Sequence, residues 1–322
     1  MKNVGIFCGG FSSEYDISVK SATIILNHLP RDKYNPFLVY VNRQGWKAEY
    51  QGVLYDVSQD DFSFHTENKK ITIDLAHVYI HGNPGENGKL QAYFEMKELP
   101  FVNSNALSSE LSFDKWFCNQ FLRNFDIKVA ESVLLLSPEN IDTNKIIQQL
   151  KLPCFVKPAD SGSSYGISKV YEEKELLPAI KNAFKEGKTV VIEAFMDGTE
   201  VTCGVYRNDS GLIALPCTEI ISETDFFDYE AKYLGKSKEI TPARIANELT
   251  LNIQEQAKKI YSILQLRSIA RIDFIIIGQV PHVIEVNTTP GFSSESIVPK
   301  MLESAKIKIA DFWGEIYAYE TK

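Results

Sequence analysis

One segment of the chain, residues 270–291, limits the possible folds more than any other. It reads ARIDFIIIGQVPHVIEVNTTPG, in which two runs of alternating side chains flank the short stretch Gly278–Pro281. Successive side chains of a strand point to opposite faces of a sheet, so each run is typical of a strand with one polar face. The segment therefore predicts an antiparallel hairpin.

The polar face of this hairpin predicts a metal site. A turn centred on Gln279 places Asp273 opposite Glu285. The same register places Arg271 opposite Asn287. Directly opposed carboxylates repel each other unless a cation lies between them, and two carboxylates with an amide offer the oxygen ligands that suit Mg²⁺ completed by substrate phosphates. A solvated hairpin face with incidental charges is the alternative interpretation.

A second pattern is a strand that ends in lysine and precedes a loop rich in small residues. FVKP at 155–158 runs into DSGSSYG at 160–166. The glycines of this loop would allow backbone N–H groups to approach phosphate oxygens closely. The loop is not a Walker A motif, because its lysine precedes the glycines. The pattern indicates either a phosphate site or a plain turn after an edge strand.

Several polar side chains in loops are further candidates for a binding site. Glu14 follows a strand and a double glycine at a predicted helix start, where a glutamate usually complements the helix dipole but could also bind a substrate ammonium. His81 opens the glycine-rich loop HGNPGENG. Lys232 and Tyr233 occur within the charged and aromatic stretch 222–245. A connection of that length is typical of a lid or a binding loop, and a solvated charged loop is the alternative interpretation of these two residues.

Net charge and cysteine content narrow the class of protein. Forty-two acidic residues outnumber 34 basic ones, and the net charge of −8 argues against a general binder of nucleic acid or anionic membranes. The five cysteines have no CxxC spacing, so neither a zinc site nor a disulfide framework is predicted. No apolar stretch reaches the roughly 20 residues of a membrane span. We therefore expect a reduced, cytoplasmic protein that binds neither nucleic acid nor membrane.

The order of the predicted elements indicates an α/β fold. A length of 322 residues favours about two domains. Alternating strands and helices fit an α/β first domain that ends near residue 105. The predicted strands are at 4–8, 37–41, 154–157, 189–193, 271–277 and 282–287, with a strand pair within 71–80. The predicted helices are at about 14–29, 108–124, 139–150, 173–186 and 243–264.

Together these segments resemble the D-alanine–D-alanine ligase family of the ATP-grasp superfamily. The matching segments follow the family's order and are GGFSSEYDISVKSA, HGNPGENGKLQAYFE, LSFDKWF, FVKPADSGSSYGISKV, GTEVT, YEAKY and RIDF with IEVNTTPGFSSESIVP. The resemblance implies a mixed α/β (α+β) chain with a three-domain ATP-grasp architecture. A Rossmann-like amino-terminal α/β domain would cover 1–105 and a central ATP-grasp subdomain 106–190. The carboxy-terminal ATP-grasp subdomain, 191–322, would carry the catalytic and metal residues and the lid loop 222–245.

The resemblance also implies site residues, position by position. The catalytic residues would be Glu14, Ser163, Tyr233, Arg271 and Gly291. The D-alanine sites would include His81, Ser296 and Ile297. ATP would be held by Lys115, Lys157, Glu193, Glu200 and Lys232. Two Mg²⁺ or Mn²⁺ ions per site would be held by Asp273, Glu285 and Asn287.

The activity that the resemblance implies is ATP-dependent ligation of two D-alanines through a D-alanyl phosphate, for peptidoglycan precursor synthesis, by a cytoplasmic homodimer. A D-alanine–D-lactate ligase and another ATP-grasp carboxylate–amine ligase are the alternatives, and a non-catalytic nucleotide-binding regulator is a more distant one. Tyr233 favours D-alanine as the second substrate, because the lactate branch typically lacks this tyrosine. Ser161, Ala194 and Glu295 depart from the family pattern, in which glutamate, lysine and histidine are common at these positions.

Overall fold

The structure, a computed structural model, describes residues 1–160, 166–222 and 237–322. The strands of its amino-terminal part are β1 (Lys2–Gly9), β2 (Tyr34–Asn42), β3 (Gly45–Tyr50), β4 (Val53–Asp56), β5 (Ser63–His65), β6 (Lys70–Thr72), β7 (Leu75–Val78) and β8 (Phe101–Val102). The helices of this part are α1 (Tyr15–His28) and α2 (Lys89–Met96). Six of the strands form one sheet in the order β4-β3-β2-β1-β7-β8, in which β1 pairs in parallel with both β2 and β7.

The parallel pairing confirms the predicted α/β character of this part. The connection from β1 through α1 to β2 is the helix crossover that parallel neighbours need. The strand pair predicted within 71–80 is wrong as a pair: β6 pairs with β5, whereas β7 joins the central sheet.

The central part is a smaller antiparallel sheet with helices on one face. Its helices are α3 (Ala106–Phe113), α4 (Lys115–Arg123), α5 (Thr143–Leu150) and α6 (Glu173–Glu186). Its strands are β9 (Ser132–Leu135), β10 (Cys154–Pro158), β11 (Ser168–Val170) and β12 (Val190–Ala194), in the sheet order β11-β10-β12-β9. Apolar side chains of β10 and β12 pack with those of α5 and α6 in one core, so the opposite face of the sheet remains for polar groups.

The single helix predicted at 108–124 is two helices. Asp114 ends α3 and caps α4, because its carboxylate accepts the Phe117 N–H at 2.9 Å in place of a helical partner. The backbone N–H of Lys115 donates to the Ala159 carbonyl at 3.0 Å. The break therefore fixes the first turn of α4 beside the end of β10.

The carboxy-terminal part is a second six-stranded sheet flanked by helices. Its strands are β13 (Thr199–Asn208), β14 (Gly211–Ala214), β15 (Thr218–Ser222), β16 (Ser237–Ile240), β17 (Ile269–Ile277) and β18 (Val280–Asn287). Its helices are α7 (Asn247–Ile263), α8 (Ile297–Ser304) and α9 (Ile309–Glu320). The sheet order is β16-β15-β13-β17-β18, with β14 paired to β13. Within the stretch 222–245, predicted as a lid or a binding loop, the residues of β16 form a strand against β15. Residues 223–236 of this stretch lie outside the described residues, so the lid stays a prediction.

The predicted hairpin register is confirmed at its polar end, but the predicted turn is wrong. Ile277 pairs with Val280, so the turn is centred between two residues rather than on Gln279. A β-bulge next to Asp273 then shifts the register by one residue and restores the pairing of Asp273 with Glu285. Because a bulge adds one residue to one strand, Val283 can point into the core while Glu285 stays on the polar face.

The amino-terminal sheet shares its core with the carboxy-terminal helices. Ile6 of β1 and Ile25 of α1 are fully buried in the same cluster as Trp313 of α9. Tyr79 donates its hydroxyl proton to the Pro290 carbonyl at 2.7 Å. Each fully buried apolar side chain of this kind stabilises the fold by about 1.5–3 kcal/mol. The two ends of the chain thus stabilise each other, and the domain limits near 105 and 190 stay predictions. Among the described residues, no helix is both long and apolar enough to span a membrane.

Candidate active site

Asp273 accepts four side-chain hydrogen bonds on the polar face of the β17–β18 hairpin. The Arg271 guanidinium donates two hydrogen bonds to it, from Nε to Oδ1 at 2.9 Å and from Nη2 to Oδ2 at 2.8 Å. Thr202 of β13 donates its hydroxyl to Oδ1 at 2.5 Å. Asn287 donates from Nδ2 to Oδ2 at 3.1 Å. Only 5 % of Asp273 is exposed, so the neighbouring strands hold this carboxylate in one orientation.

The three predicted metal ligands lie together on this face. Glu285 is the register partner of Asp273, and Asn287 contacts Asp273 directly. The described residues contain no group of three His, Cys, Asp or Glu side chains that could hold a metal, so a site here needs the amide oxygen of Asn287 as the third ligand. Two carboxylates and an amide offer only oxygen donors, and this donor set fits a hard cation such as Mg²⁺.

Two of the predicted ATP-binding lysines reach carboxylates at the site. Lys115 begins α4, is 8 % exposed, and lies 3.9 Å from the Glu285 carboxylate. Lys157 of β10 forms an ion pair of 2.6 Å with Glu193 of β12, and both side chains are buried. Asn119 of α4 donates to Glu193 at 3.5 Å. The predicted residues of the central part therefore form a charged surface that faces the hairpin.

Glu200 lies on β13 of the carboxy-terminal sheet, two residues before Thr202, which contacts the hairpin ligand Asp273. It belongs to β13, where its register partners are Ile220 and Ile275. Residues two apart on a strand share a face, so Glu200 lies on the same face as Thr202. This is also the face on which Thr202 bonds Asp273.

Glu14 and His81 lie together at the amino-terminal end of the site. Glu14 is 8 % exposed directly before α1, and His81 is 5 % exposed at the start of its glycine-rich loop. Burial lowers the pKa of His81, and Arg271 adds to this effect, whereas the Glu14 carboxylate and hydrogen bonding to the Thr289 backbone oppose it. The buried Nε2 of His81 has no hydrogen-bond partner among the described residues. A neutral imidazole next to a carboxylate can therefore accept a hydrogen bond from a bound amine.

The predicted residues after the hairpin, Gly291, Ser296 and Ile297, lie close to one another in the structure. A Cβ atom on Gly291 would lie 2.8 Å from Ser296 Oγ, so a side chain at this position would displace the Ser296 hydroxyl. Ser296 accepts the Ser293 N–H at 3.0 Å. The side chain of Ile297 is buried in the shared apolar core, so it cannot bind a carboxylate. Only its backbone N–H, in the first turn of α8, can do so.

Glu86 is a carboxyl at this end of the site that the sequence analysis missed. It lies in the same loop as His81, and its Oε2 accepts the Gly82 N–H at 3.0 Å. Burial raises the pKa of Glu86 to about 7, and the nearby carboxylates of Glu14 and Glu285 add to this effect, while Gly82 and Lys115 oppose it. The available sequence signal was a carboxyl within the glycine-rich loop HGNPGENG.

Glu86→Gln is expected to stabilise the protein at pH 8 relative to wild type. An unfolded glutamate ionises near pH 4.5 while the folded one ionises near pH 7, so wild type loses stability as the pH rises through this window. Glutamine does not titrate. The unfolding free energy of Glu86→Gln minus that of wild type should therefore grow with pH, by at most about 3 kcal/mol. Denaturant unfolding at pH 5, 6, 7 and 8 measures it. The exposed Glu139→Gln is the matched control, and a Glu86→Gln difference that stays constant across this range would contradict the expectation.

Three of the predicted residues lie outside the described residues. They are Ser163, Lys232 and Tyr233. Their roles stay predictions. Ser161, which departs from the family pattern, also lies outside the described residues.

The chain is similar to known proteins over nearly its whole length. The family model described as D-ala D-ala ligase N-terminus matches residues 3–104, and the one described as D-ala D-ala ligase C-terminus matches 121–316. A D-alanine–D-alanine ligase of Flavobacterium johnsoniae is 43% identical over 314 residues, which are 97% of each chain. A D-alanine–D-alanine ligase of Bacteroides fragilis is 40% identical over 317 residues, 98% of each chain.

Solved structures agree with this result. The VanG D-Ala:D-Ser ligase from Enterococcus faecalis superimposes with a TM-score of 0.88 at 30% identity and covers 99% of both chains. D-alanyl-alanine synthetase A from Vibrio cholerae gives a TM-score of 0.88 at 28% identity, over 100% of this chain and 99% of that one. The mixed α/β fold, the clustered polar residues and these matches lead to one conclusion: the chain belongs to the D-alanine–D-alanine ligase family.

Proposed function

We propose that this protein joins two molecules of D-alanine into D-alanyl-D-alanine at the expense of ATP, through a D-alanyl phosphate, and so supplies a precursor of peptidoglycan. The observation that carries the proposal is the cluster on the hairpin face, in which Arg271, Asp273 and Asn287 contact one another beside Glu285 and Lys115. Membership of the ligase family supports the same activity.

The cations of this cluster suit the first step, transfer of the terminal phosphoryl group of ATP to a D-alanine carboxylate. This step brings two anions together, so positive charge and positioning supply most of the catalysis. Lys115 and Lys157 come from the central part, and Arg271 comes from the hairpin. We propose that the two lysines hold phosphate oxygens in this step. Arg271 would act in the second step, where it stabilises the oxyanion that forms at the reacting carbonyl.

The second step, attack of an amine on the acyl phosphate, needs an amine that has lost its proton and a site without water. We propose that Glu14 holds the ammonium of the first D-alanine, with the unprotonated ring of His81 beside it. The Gly291 N–H would bind the tetrahedral intermediate together with Arg271. The Ser296 hydroxyl and the Ile297 N–H, at the start of α8, would bind the carboxylate of the second D-alanine.

A divalent cation fits the donor set. Asp273, Glu285 and Asn287 would hold Mg²⁺ or Mn²⁺, two ions per site, and the metal would neutralise phosphate oxygens of the nucleotide. For the protein as a whole we propose a cytoplasmic homodimer, with the domain limits near 105 and 190 given above.

The experiment that tests the function is phosphate release from ATP by the purified protein with Mg²⁺. We expect release to depend on added D-alanine, and we expect D-alanyl-D-alanine as the product. D-lactate, added as a competing second substrate, separates the dipeptide ligase from the lactate ligase. A folded protein that binds ATP but releases no phosphate with D-alanine would rule out the ligase and leave the nucleotide-binding regulator.

A further inference from the structure

One lysine of the central sheet lies among aromatic rings. Lys169 of β11 has its Nζ 4.1 Å from the ring centroid of Phe195, 5.1 Å from that of Tyr171 and 5.9 Å from that of Phe155. The rings of Phe155 and Phe195 are 6.1 Å apart and tilted by 43°. A cation within about 6 Å of a ring centroid is attracted by the ring electrons. The three rings therefore fix the position of this ammonium group.

The Lys169 ammonium has no anionic partner among the described residues, unlike two other lysines of the central part. Lys157 pairs with Glu193, and Lys174 pairs with Glu172. Across the described parts of the chain, the side chain of Lys169 forms neither an ion pair nor a hydrogen bond, and its ammonium contacts the three rings instead. An ammonium has three N–H donors, and ring faces are weak substitutes for oxygen or nitrogen acceptors. Its donors are therefore available to a ligand.

Lys169 lies on the face of the sheet that carries the proposed ATP-binding residues. Phe155 pairs with Lys169 on one side and with Glu193 on the other, so these three residues form a row across three strands. Lys157 is two residues from Phe155 and shares its face. Strands are spaced by about 4.8 Å, which puts the backbones of Lys169 and Glu193 roughly 10 Å apart with the phenylalanine ring between them.

This row combines three kinds of chemistry on one surface. Phe155 and Phe195 offer apolar ring faces, on which a flat base can stack. The buried Glu193 carboxylate only accepts hydrogen bonds, and the Lys169 ammonium only donates them. Adenine carries an amino group, which donates, next to ring nitrogens, which accept. The row is therefore complementary to adenine, whereas guanine would place its carbonyl oxygen, an acceptor, against the carboxylate.

We propose that Lys169 binds the adenine base of ATP, opposite Glu193, and that the pair selects adenine over guanine. The assignment rests on the proposed ATP-dependent function and adds a nucleotide-binding residue to it. In the bound state the base stacks on the Phe155–Phe195 surface, its amino group donates to Glu193, and the ammonium of Lys169 donates to a ring nitrogen.

The test compares Lys169→Met with Lys169→Arg. Methionine keeps the apolar stem that packs on the rings and removes the charge, whereas arginine keeps the charge. We expect Lys169→Met to weaken ADP binding in a calorimetric titration, and to raise the KM for ATP, by roughly tenfold. The kcat and the KM for D-alanine should stay unchanged, and the preference for ATP over GTP should shrink. Lys169→Arg should recover most of the binding, and Lys181→Met on the exposed face of α6 is the matched control.

Two results would overturn the proposal. One is ADP binding by Lys169→Met equal to that of wild type. The other is a parallel loss of thermal stability, kcat and D-alanine affinity, which would mean that the lysine only packs against the rings. ADP binding requires no turnover, so it separates this inference from the ligase assignment: wild type that binds ADP through Lys169 but forms no dipeptide would refute the ligase alone.

Discussion

Arg271→Lys is expected to lower kcat for D-alanine-dependent phosphate release by about 10²–10³-fold, at saturating substrates. The guanidinium of Arg271 donates to both oxygens of Asp273, and this fork holds its charge beside the hairpin ligands. A lysine ammonium has no planar fork, so it cannot make the same two-point contact and its charge moves away from the reacting carbonyl. Steady-state kinetics together with a melting temperature separate lost catalysis from lost folding.

Arg267→Lys is the matched control for this prediction. Arg267 donates from Nε to the Glu320 carboxylate at 2.6 Å, so the same substitution breaks a comparable guanidinium–carboxylate contact. It precedes the same strand, β17, but contacts α9 rather than the hairpin face. We expect a loss of stability without a change of kcat beyond about twofold. If Arg271→Lys kept more than a tenth of wild-type kcat, Arg271 would not stabilise the transition state.

The hairpin explains how much of the site could be predicted from the sequence. Strand alternation placed Asp273 opposite Glu285, and the structure confirms this pairing. The prediction put the turn on Gln279, and it reached the right pairing only because the bulge offsets the shifted turn. The bulge forms where it lets apolar residues of both strands enter the core together, as the buried Val283 does opposite Phe274. Alternation within one strand does not contain that information.

Contacts between distant segments could not be predicted either, because a local sequence pattern does not identify the segment that packs against it. Thr202 bonds Asp273 across 71 residues, and nothing in the local sequence of either strand predicts that contact. The aromatic surroundings of Lys169 arise from three separate strands or loops. The raised pKa of Glu86 comes from burial, which composition cannot predict for a single loop residue. Motif spacing, in contrast, identified Lys115, Asp273, Glu285 and Asn287, which the structure brings together at the hairpin face.

Lys157→Met is expected to destabilise the protein by about 3–5 kcal/mol and to abolish measurable ADP binding. Lys157 and Glu193 are 2.6 Å apart, with side chains only 8% and 7% exposed. Removing the lysine leaves a carboxylate buried without its countercharge, and a buried unpaired charge costs far more free energy than the pair contributed. Lys47→Met, which breaks an exposed ion pair with Asp56, should cost less than about 1 kcal/mol and is the control.

The double variant Lys157→Met/Glu193→Gln separates the two effects. With neither charge present, no carboxylate is left unpaired in the interior, so most of the lost unfolding free energy should return. Nucleotide binding should not return, because the cation proposed to hold phosphate oxygens is still missing. Urea unfolding and calorimetric titration with ADP measure the two quantities independently. A double variant as unstable as Lys157→Met would show that the lysine stem, rather than the charge pair, stabilises this face, and recovery of ADP binding would remove Lys157 from the phosphate site.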